Sequence, residues 1–213
     1  MISNNATLPE PLRLAMVTAF FTNDDASHQL VQETLSHPSS RARLLALRAA
    51  RHHDWLSEDD WHRALRDPSP EVRREAAALL SPSGSLTPSI QEDLLALLHD
   101  DDALVVEMSA FVTGELMVSG AVEELVRVAT VHEDARCRES AVAALGVLGD
   151  DRGRAAIVAA LNDKPPIRRR AIVSLANFEG PDIDAALNAA KDDRDWQVRA
   201  AVDQLERLPF VDD

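Results

Sequence analysis

Seven histidines and one cysteine are the side chains of this 213-residue chain best suited to holding a metal or attacking a carbonyl, and their spacing argues against both. A metal site on one helix needs two histidines about four residues apart, or a Cys-x-x-Cys pair, so that both donors share a face. His28, His37, His52, His53, His62, His99 and His132 contain no His-x-x-x-His, and Cys137 stands alone. A phosphate-cradling loop would show Gly-x-Gly-x-x-Gly or Gly-Lys-Ser/Thr, and a hydrolase turn Gly-x-Ser-x-Gly, and neither is present. The expectation is a chain that is not an enzyme, with no catalytic residue, no metal and no cofactor. Cys137 reads as an inert core hydrophobe.

Charge narrows the partners. With 22 lysines and arginines against 36 aspartates and glutamates, the chain carries −14, which repels a phosphate backbone. Residues 41 to 74 hold eight arginines against six acids, but from Glu75 to Val126 there is no lysine or arginine and ten acids. A nucleic acid following the molecule would cross that acidic middle, so nucleic-acid binding is not expected. The opening residues lack a basic start followed by an apolar stretch, and the longest apolar runs, such as Ala155 to Leu161, are too short to span a bilayer. A lone cysteine fits a reducing compartment, so the expectation is a soluble cytoplasmic protein that does not engage membranes.

The elements that carry these residues repeat. A polar loop leads to a small apolar residue, then usually arginine, with alanine three residues further on: Asp67-Pro68-Ser69-Pro70-Glu71-Val72-Arg73-Arg74-Glu75-Ala76 is the clearest copy. Relatives centre on Ala42-Arg43, Val106-Glu107, Cys137-Arg138, Ile167-Arg168 and Val198-Arg199, at intervals of 30, 34, 31, 30 and 31 residues. Each continues with apolar residues at i, i+4, i+7 and i+8, as in Val72, Ala76, Leu79 and Leu80, which is the spacing of a helix with one buried face. A second apolar stripe precedes each, so every unit is a helical hairpin. Ser57 with Asp60, Asp67 and Ser69 before Pro70, and Pro165-Pro166 mark helix starts, and Gly146, Gly149 and Gly180 are read as helix ends.

One short hairpin cannot bury its apolar face alone, so neighbouring copies must stack. The predicted fold is all-α, a right-handed α-solenoid of about six hairpins in a single domain over 1–213. Its cap helix covers 8–21 and its repeats fall near 26–51, 57–81, 89–117, 120–147, 152–177 and 182–207. Leu205 to Phe210 closes the far end, and Ser81 to Pro88 is a long loop between hairpins. Trp55, Trp61 and Trp196 are read as packing residues.

The stretch Arg138 to Leu161, with Ala143-Ala144-Leu145-Gly146-Val147-Leu148-Gly149-Asp150, together with Val72-Arg73 and Val198-Arg199, resembles HEAT repeats of the short kind found in phycobilin lyases. That resemblance covers nearly the whole chain and implies several activities: scaffolds and adaptors, bilin lyases, DNA glycosylases and iron-dependent hydroxylases. The hydroxylases need several His-Glu pairs, and only His132-Glu133 occurs. The resemblance also implies that a loop acid and the arginine tie consecutive repeats together, a role carried onto Asp67 with Arg73 and Asp193 with Arg199. His37, His132 and Asn162 stand where other copies have the acid, and Glu107 where they have the arginine, so the ladder is expected to break there.

What remains is a surface. If the second helices line the concave side, as the resemblance implies, positions two and six after the small apolar residue point outward: Leu44 and Arg48, Arg74 and Ala78, Met108 and Val112, Glu139 and Ala143, Arg169 and Val173, Ala200 and Gln204. The centre is apolar and the flanks are basic, the composition of a recognition patch. Arg74, Met108, Val112 and Arg169 are the expected contacts to a protein partner, and the chain is read as a non-catalytic scaffold or adaptor. A bilin-lyase relative and a DNA-binding glycosylase are the alternatives.

Overall fold

The computed structural model describes residues 9–80 and 86–207, and every regular element among them is helical. The chain forms two compact units that divide between Leu94 and Leu95. The first holds α1 (Glu10–Phe21), α2 (Asp25–Thr34), α3 (Ser40–His52), α4 (Glu58–Leu65), α5 (Pro70–Leu79) and the start of α6 (Pro88–Ala96). The second holds α7 (Ala103–Glu115), α8 (Val122–Val131), α9 (Ala135–Leu148), α10 (Asp151–Ala160), α11 (Pro165–Ser174), α12 (Pro181–Ala190) and α13 (Trp196–Arg207), with short 3₁₀ turns before α7 and α8 and after α11.

Local chemistry explains the starts. Ser57 and Asp60 cap α4 reciprocally, each side chain accepting the other's backbone N–H. Asp24, Asp102, Asp134 and Asp150 accept from backbone amides in the first turns of α2, α7, α9 and α10. Proline opens α5, α11 and α12, where its missing amide is not needed. The predicted cap helix begins at Glu10, while Leu8, residues 81–85 of the long loop and the closing residues 208–210 lie outside the described residues.

Within each unit helices stack in order, α1 on α3 on α5, and α7 on α9 on α11 on α13, with α2 packing on α3, α4 on α5, α8 on α9, α10 on α11 and α12 on α13. Small residues set the spacing. A methyl group placed on Gly146 would come within 2.5 Å of Ser174 Cβ and Oγ, and one on Gly114 within 3.0 Å of the Ala144 backbone. Gly146 therefore lies inside α9 as a packing residue and does not end the helix. Gly149 does end it, at φ 61°.

The left-handed position corrects the repeat register. Asp54 and Met117 share it with Gly149, at φ 59° and 53°, and the three follow Ala42, Val105 and Cys137 by the same number of residues. In the first two, a Schellman-type bond closes the helix: Trp55 N–H donates to Ala50 O at 2.8 Å and Val118 N–H to Thr113 O at 3.0 Å. The reference residue of the third copy is thus Val105, one place earlier than the sequence phrase suggested. Ala42, Val72, Val105, Cys137, Ile167 and Val198 are all buried, as are Ala46, Ala76, Ser109, Ala141, Ala171 and Val202 four positions on. Val106, fully buried, takes the arginine position that had been assigned to Glu107.

Two substitutions test this packing by urea unfolding. Met117→Gly removes a side chain from a left-handed backbone and raises stability by about 1 kcal/mol. Gly146→Ala drives a methyl into Ser174 and lowers it by roughly 1–3 kcal/mol.

Candidate functional site

The loops that join the two helices of a hairpin are held by a repeated guanidinium contact. Arg43 Nε and Nη2 donate to both Asp67 carboxylate oxygens at 2.7 and 2.6 Å, while its Nη1 donates to His37 O and Pro38 O of its own loop. Arg138 grips Asp163 at 2.6 and 2.8 Å and the carbonyls of His132 and Glu133. Arg168, itself buried, grips Asp193 at 2.8 and 2.7 Å and the carbonyl of Asp163. Each arginine therefore bonds its own loop through the main chain and the following repeat through a bidentate carboxylate.

This differs from the pairing implied by the resemblance. Arg73 and Arg199 do reach Asp67 and Asp193, but at the backbone oxygens, 2.7 and 2.6 Å away. The carboxylates belong to the preceding repeats' Arg43 and Arg168. Nor is the ladder broken at Asn162: that loop is one residue shorter, and Asp163 supplies the acid. The two histidines have a clear logic. Asp67 Oδ1 accepts the Ser69 N–H at 2.8 Å and Asp193 Oδ1 the Asp195 N–H at 2.8 Å, which closes the turn. His37 Nδ1 accepts from Ser39 N–H at 3.0 Å and His132 Nδ1 from Asp134 N–H at 3.1 Å, doing the same without a charge. His132 follows the repeat in which Val106 replaces the arginine, so no guanidinium there requires a carboxylate.

Hydrogen bonds from Arg138 and Arg168 hold Asp163 and Asp193 below the ordinary aspartate value of 3.8, with burial opposing. Carboxylates with lowered values add stability that is complete above 3.8 and disappears as pH falls through the lowered range. Cys137 is buried, its Sγ donates to Ala103 O at 3.1 Å, and burial pushes its thiol up to about 11, so it is protonated at neutral pH. Among the described residues no three His, Cys, Asp or Glu groups assemble as metal ligands. His52 stacks on Phe20 at 4.3 Å, and Trp55 stacks on His53 and His28 at 4.3 and 4.7 Å, so these rings fasten the first unit together.

The outward row of the second helices runs through residues six positions after the reference: Arg48 and Ala78 in the first unit, and Phe111, Ala143, Val173 and Gln204 in the second. Phe111 is 54% exposed and Val173 53%. Val112, expected in this row, is 4% exposed, because the corrected register turns it into the stack and Phe111 out of it. Met108 is half-buried on α7, and Arg74 is half-buried on α5 in the first unit. Arg169 is half-buried on α11, where its Nη1 donates to Gln197 Oε1 at 2.8 Å. Trp196, read from sequence as a packing residue, is 66% exposed at the start of α13. Glu139, Arg169, Arg170, Val173, Trp196 and Gln204 line a groove of about 300 Å³ across α9, α11 and α13.

A family model described as HEAT repeats matches residues 92–176 and 122–206, together more than half of the sequence. The chain belongs to the HEAT repeat proteins. No curated protein matches it. Among solved structures it is similar to an engineered protein at 22% identity and TM-score 0.63, covering 86% of this chain and 97% of that one. It is also similar to a designed armadillo repeat protein in complex with the peptide (KR)4, at 16% identity and TM-score 0.55, covering 93% and 98%. Computationally designed armadillo repeat proteins for modular peptide recognition match at 16% identity and TM-score 0.54, covering 90% and 97%. These likenesses are ones of fold, the all-α repeat solenoid.

Arg168→Met should separate the loop ladder from the surface. It leaves Asp193 half-buried without its fork and lowers stability at pH 7 by about 3 kcal/mol. The deficit shrinks as pH drops below 3.8 and the wild-type carboxylate becomes neutral, a convergence that urea midpoints measured across pH would register.

Proposed function

We propose that this protein is a protein-binding scaffold, and that the outward face of α7, α9, α11 and α13 holds an extended segment of its partner. The observation that carries this reading is the exposed pair Val173 and Trp196 beside Arg169 and Arg170, with Phe111 exposed on α7 of the same unit. Large apolar side chains left in water next to charge are the usual make-up of a contact surface. Arg169 belongs to this face; with Val105 as reference, Met108 stands one place past the outward position that Glu107 takes and is proposed as a flanking contact, while Val112 supports the face from beneath. Arg74, half-buried on α5, is proposed as a partner contact of the first unit taken by itself. Adjacent stacked helices lie about 9 Å apart, so three steps from α7 to α13 span roughly 27 Å, the length of about eight extended residues. Designed armadillo relatives of the same fold hold a peptide, which makes this mode of capture natural for the architecture.

A single continuous domain over 1–213 and a cytoplasmic setting are parts of this proposal. No helix among the described residues is long and apolar enough to cross a membrane. Kinship to the bilin-lyase type rests on the sequence resemblance alone, and an absorbance change on titrating a linear tetrapyrrole would replace the scaffold reading with that one.

The test is quantitative affinity capture with wild-type protein, Phe111→Ser and Trp196→Ala. Both side chains are exposed, so melting temperatures stay within about 2 °C of wild type while the captured partner is lost, each change costing about 2 kcal/mol of binding. Equal capture by all three proteins would refute the assignment of this face.

A further inference from the structure

His62 is the one histidine whose two ring nitrogens bridge an aspartate and a serine hydroxyl in the described structure, and all three residues belong to the first unit. Its Nδ1 lies 2.6 Å from Asp93 Oδ2, and its Nε2 lies 2.9 Å from Ser89 Oγ. Asp93 is buried at 5% exposure, and its other oxygen accepts from Arg66 Nε at 2.8 Å and Nη2 at 2.6 Å. Both Asp93 oxygens are therefore engaged, one by His62 and the other by Arg66.

That arrangement fixes the direction of every hydrogen bond in the neutral ring. A carboxylate only accepts, so the proton must sit on His62 Nδ1. Nε2 then carries the lone pair, and Ser89 must donate its hydroxyl proton to it. Ser89 itself is exposed, in the first turn of α6, where the positive end of the helix favours developing negative charge. Glu58 Oε1 stands 3.9 Å from His62 Nε2 and accepts from Thr87 Oγ1 at 2.7 Å.

We propose that Ser89 is an activated nucleophile toward small activated acyl esters, with His62 as its general base and Asp93 as the residue positioning His62. The roles follow from geometry alone, as serine, histidine and aspartate fill them on unrelated folds. Ser89 Oγ forms a bond to the acyl carbon as its proton passes to His62 Nε2. The ester's C–O bond then breaks, and the departing alkoxide takes that proton from His62. Water repeats the sequence, giving its proton to His62 and releasing the carboxylic acid and free Ser89. The site is separate from the exposed apolar face of the second unit and does not depend on the scaffold reading. No histidine or serine motif marks it in the sequence, since Ser89 and Asp93 share α6 while His62 comes from α4.

A fluorophosphonate probe on the full chain tests it, because Ser89 Oγ displaces fluoride and keeps the phosphonyl group. Peptide mass spectrometry should show Ser89 labelled about a hundredfold faster than the exposed Ser119, with matching slow hydrolysis of p-nitrophenyl acetate. His62→Ala should erase that advantage and added imidazole restore part of it, and Ser89→Ala should abolish ester hydrolysis at unchanged melting temperature. Asp93 is examined through the proton resonance of His62 Nδ1–H, expected far downfield in the wild type and lost in Asp93→Asn. Should that variant fail to fold, the imidazole rescue of His62→Ala decides alone. Labelling of Ser89 no faster than Ser119, or a rate indifferent to His62→Ala, overturns the proposal.

Discussion

A guanidinium that bonds its own loop and the next one is the contact on which the repeat depends. Helical hairpins of ten residues a side slide easily when only apolar faces meet, because alanine-rich surfaces offer few distinct registers. The Arg43–Asp67, Arg138–Asp163 and Arg168–Asp193 forks remove that freedom, since a bidentate contact tolerates little displacement. Their location at the loops leaves the middle of each second helix to small residues, and Gly114 against Ala144 and Gly146 against Ser174 then bring the backbones together. Hydrogen bonds from Ser140 Oγ to Glu107 O and from Ser174 Oγ to Val142 O stitch the same helices where the side chains are short.

Most of the architecture was legible in the residues. Helix starts at Ser57, Pro70 and Pro165, the hairpin order and the buried Cys137 all follow from spacing and cap chemistry that act within a few residues. Two features escaped because they depend on neighbours across the stack. In Leu104-Val105-Val106-Glu107-Met108, both valines are fully buried, and the left-handed turn at Met117 settles which is the reference. That one-residue choice exchanged Val112 for Phe111 on the exposed row. Likewise Asn162 and Asp163 are adjacent polar residues in a loop, and the preceding repeat's Arg138 decides between them.

The exposed surface shows a similar dependence. Trp196 reads as a packing residue in isolation, since tryptophan is mostly buried, yet its place before the reference residue Val198 is on the open side of the last described hairpin. The pairing of His62 with Ser89 and Asp93 was beyond any local reading, because its members are brought together by two helices from different hairpins. Spacing rules find ligands and nucleophiles along one helix and are blind to those assembled between helices.

The forks also give the array a direction. Arg43, Arg138 and Arg168 each reach forward along the chain, so the repeat after each of them is clasped by the one before it. Arg199 has a grip on its own loop through Asp193 O, but no carboxylate beyond it among the described residues. Val106 interrupts the same succession at the start of the second unit, on α7. A force pulling along the stack would thus meet a carboxylate fork at each of the seams that Arg138 and Arg168 span, whereas between α7 and α9 it would meet close packing of Gly114 on Ala144 and the hydrogen bonds from Ser140 Oγ to Glu107 O and from Cys137 Sγ to Ala103 O.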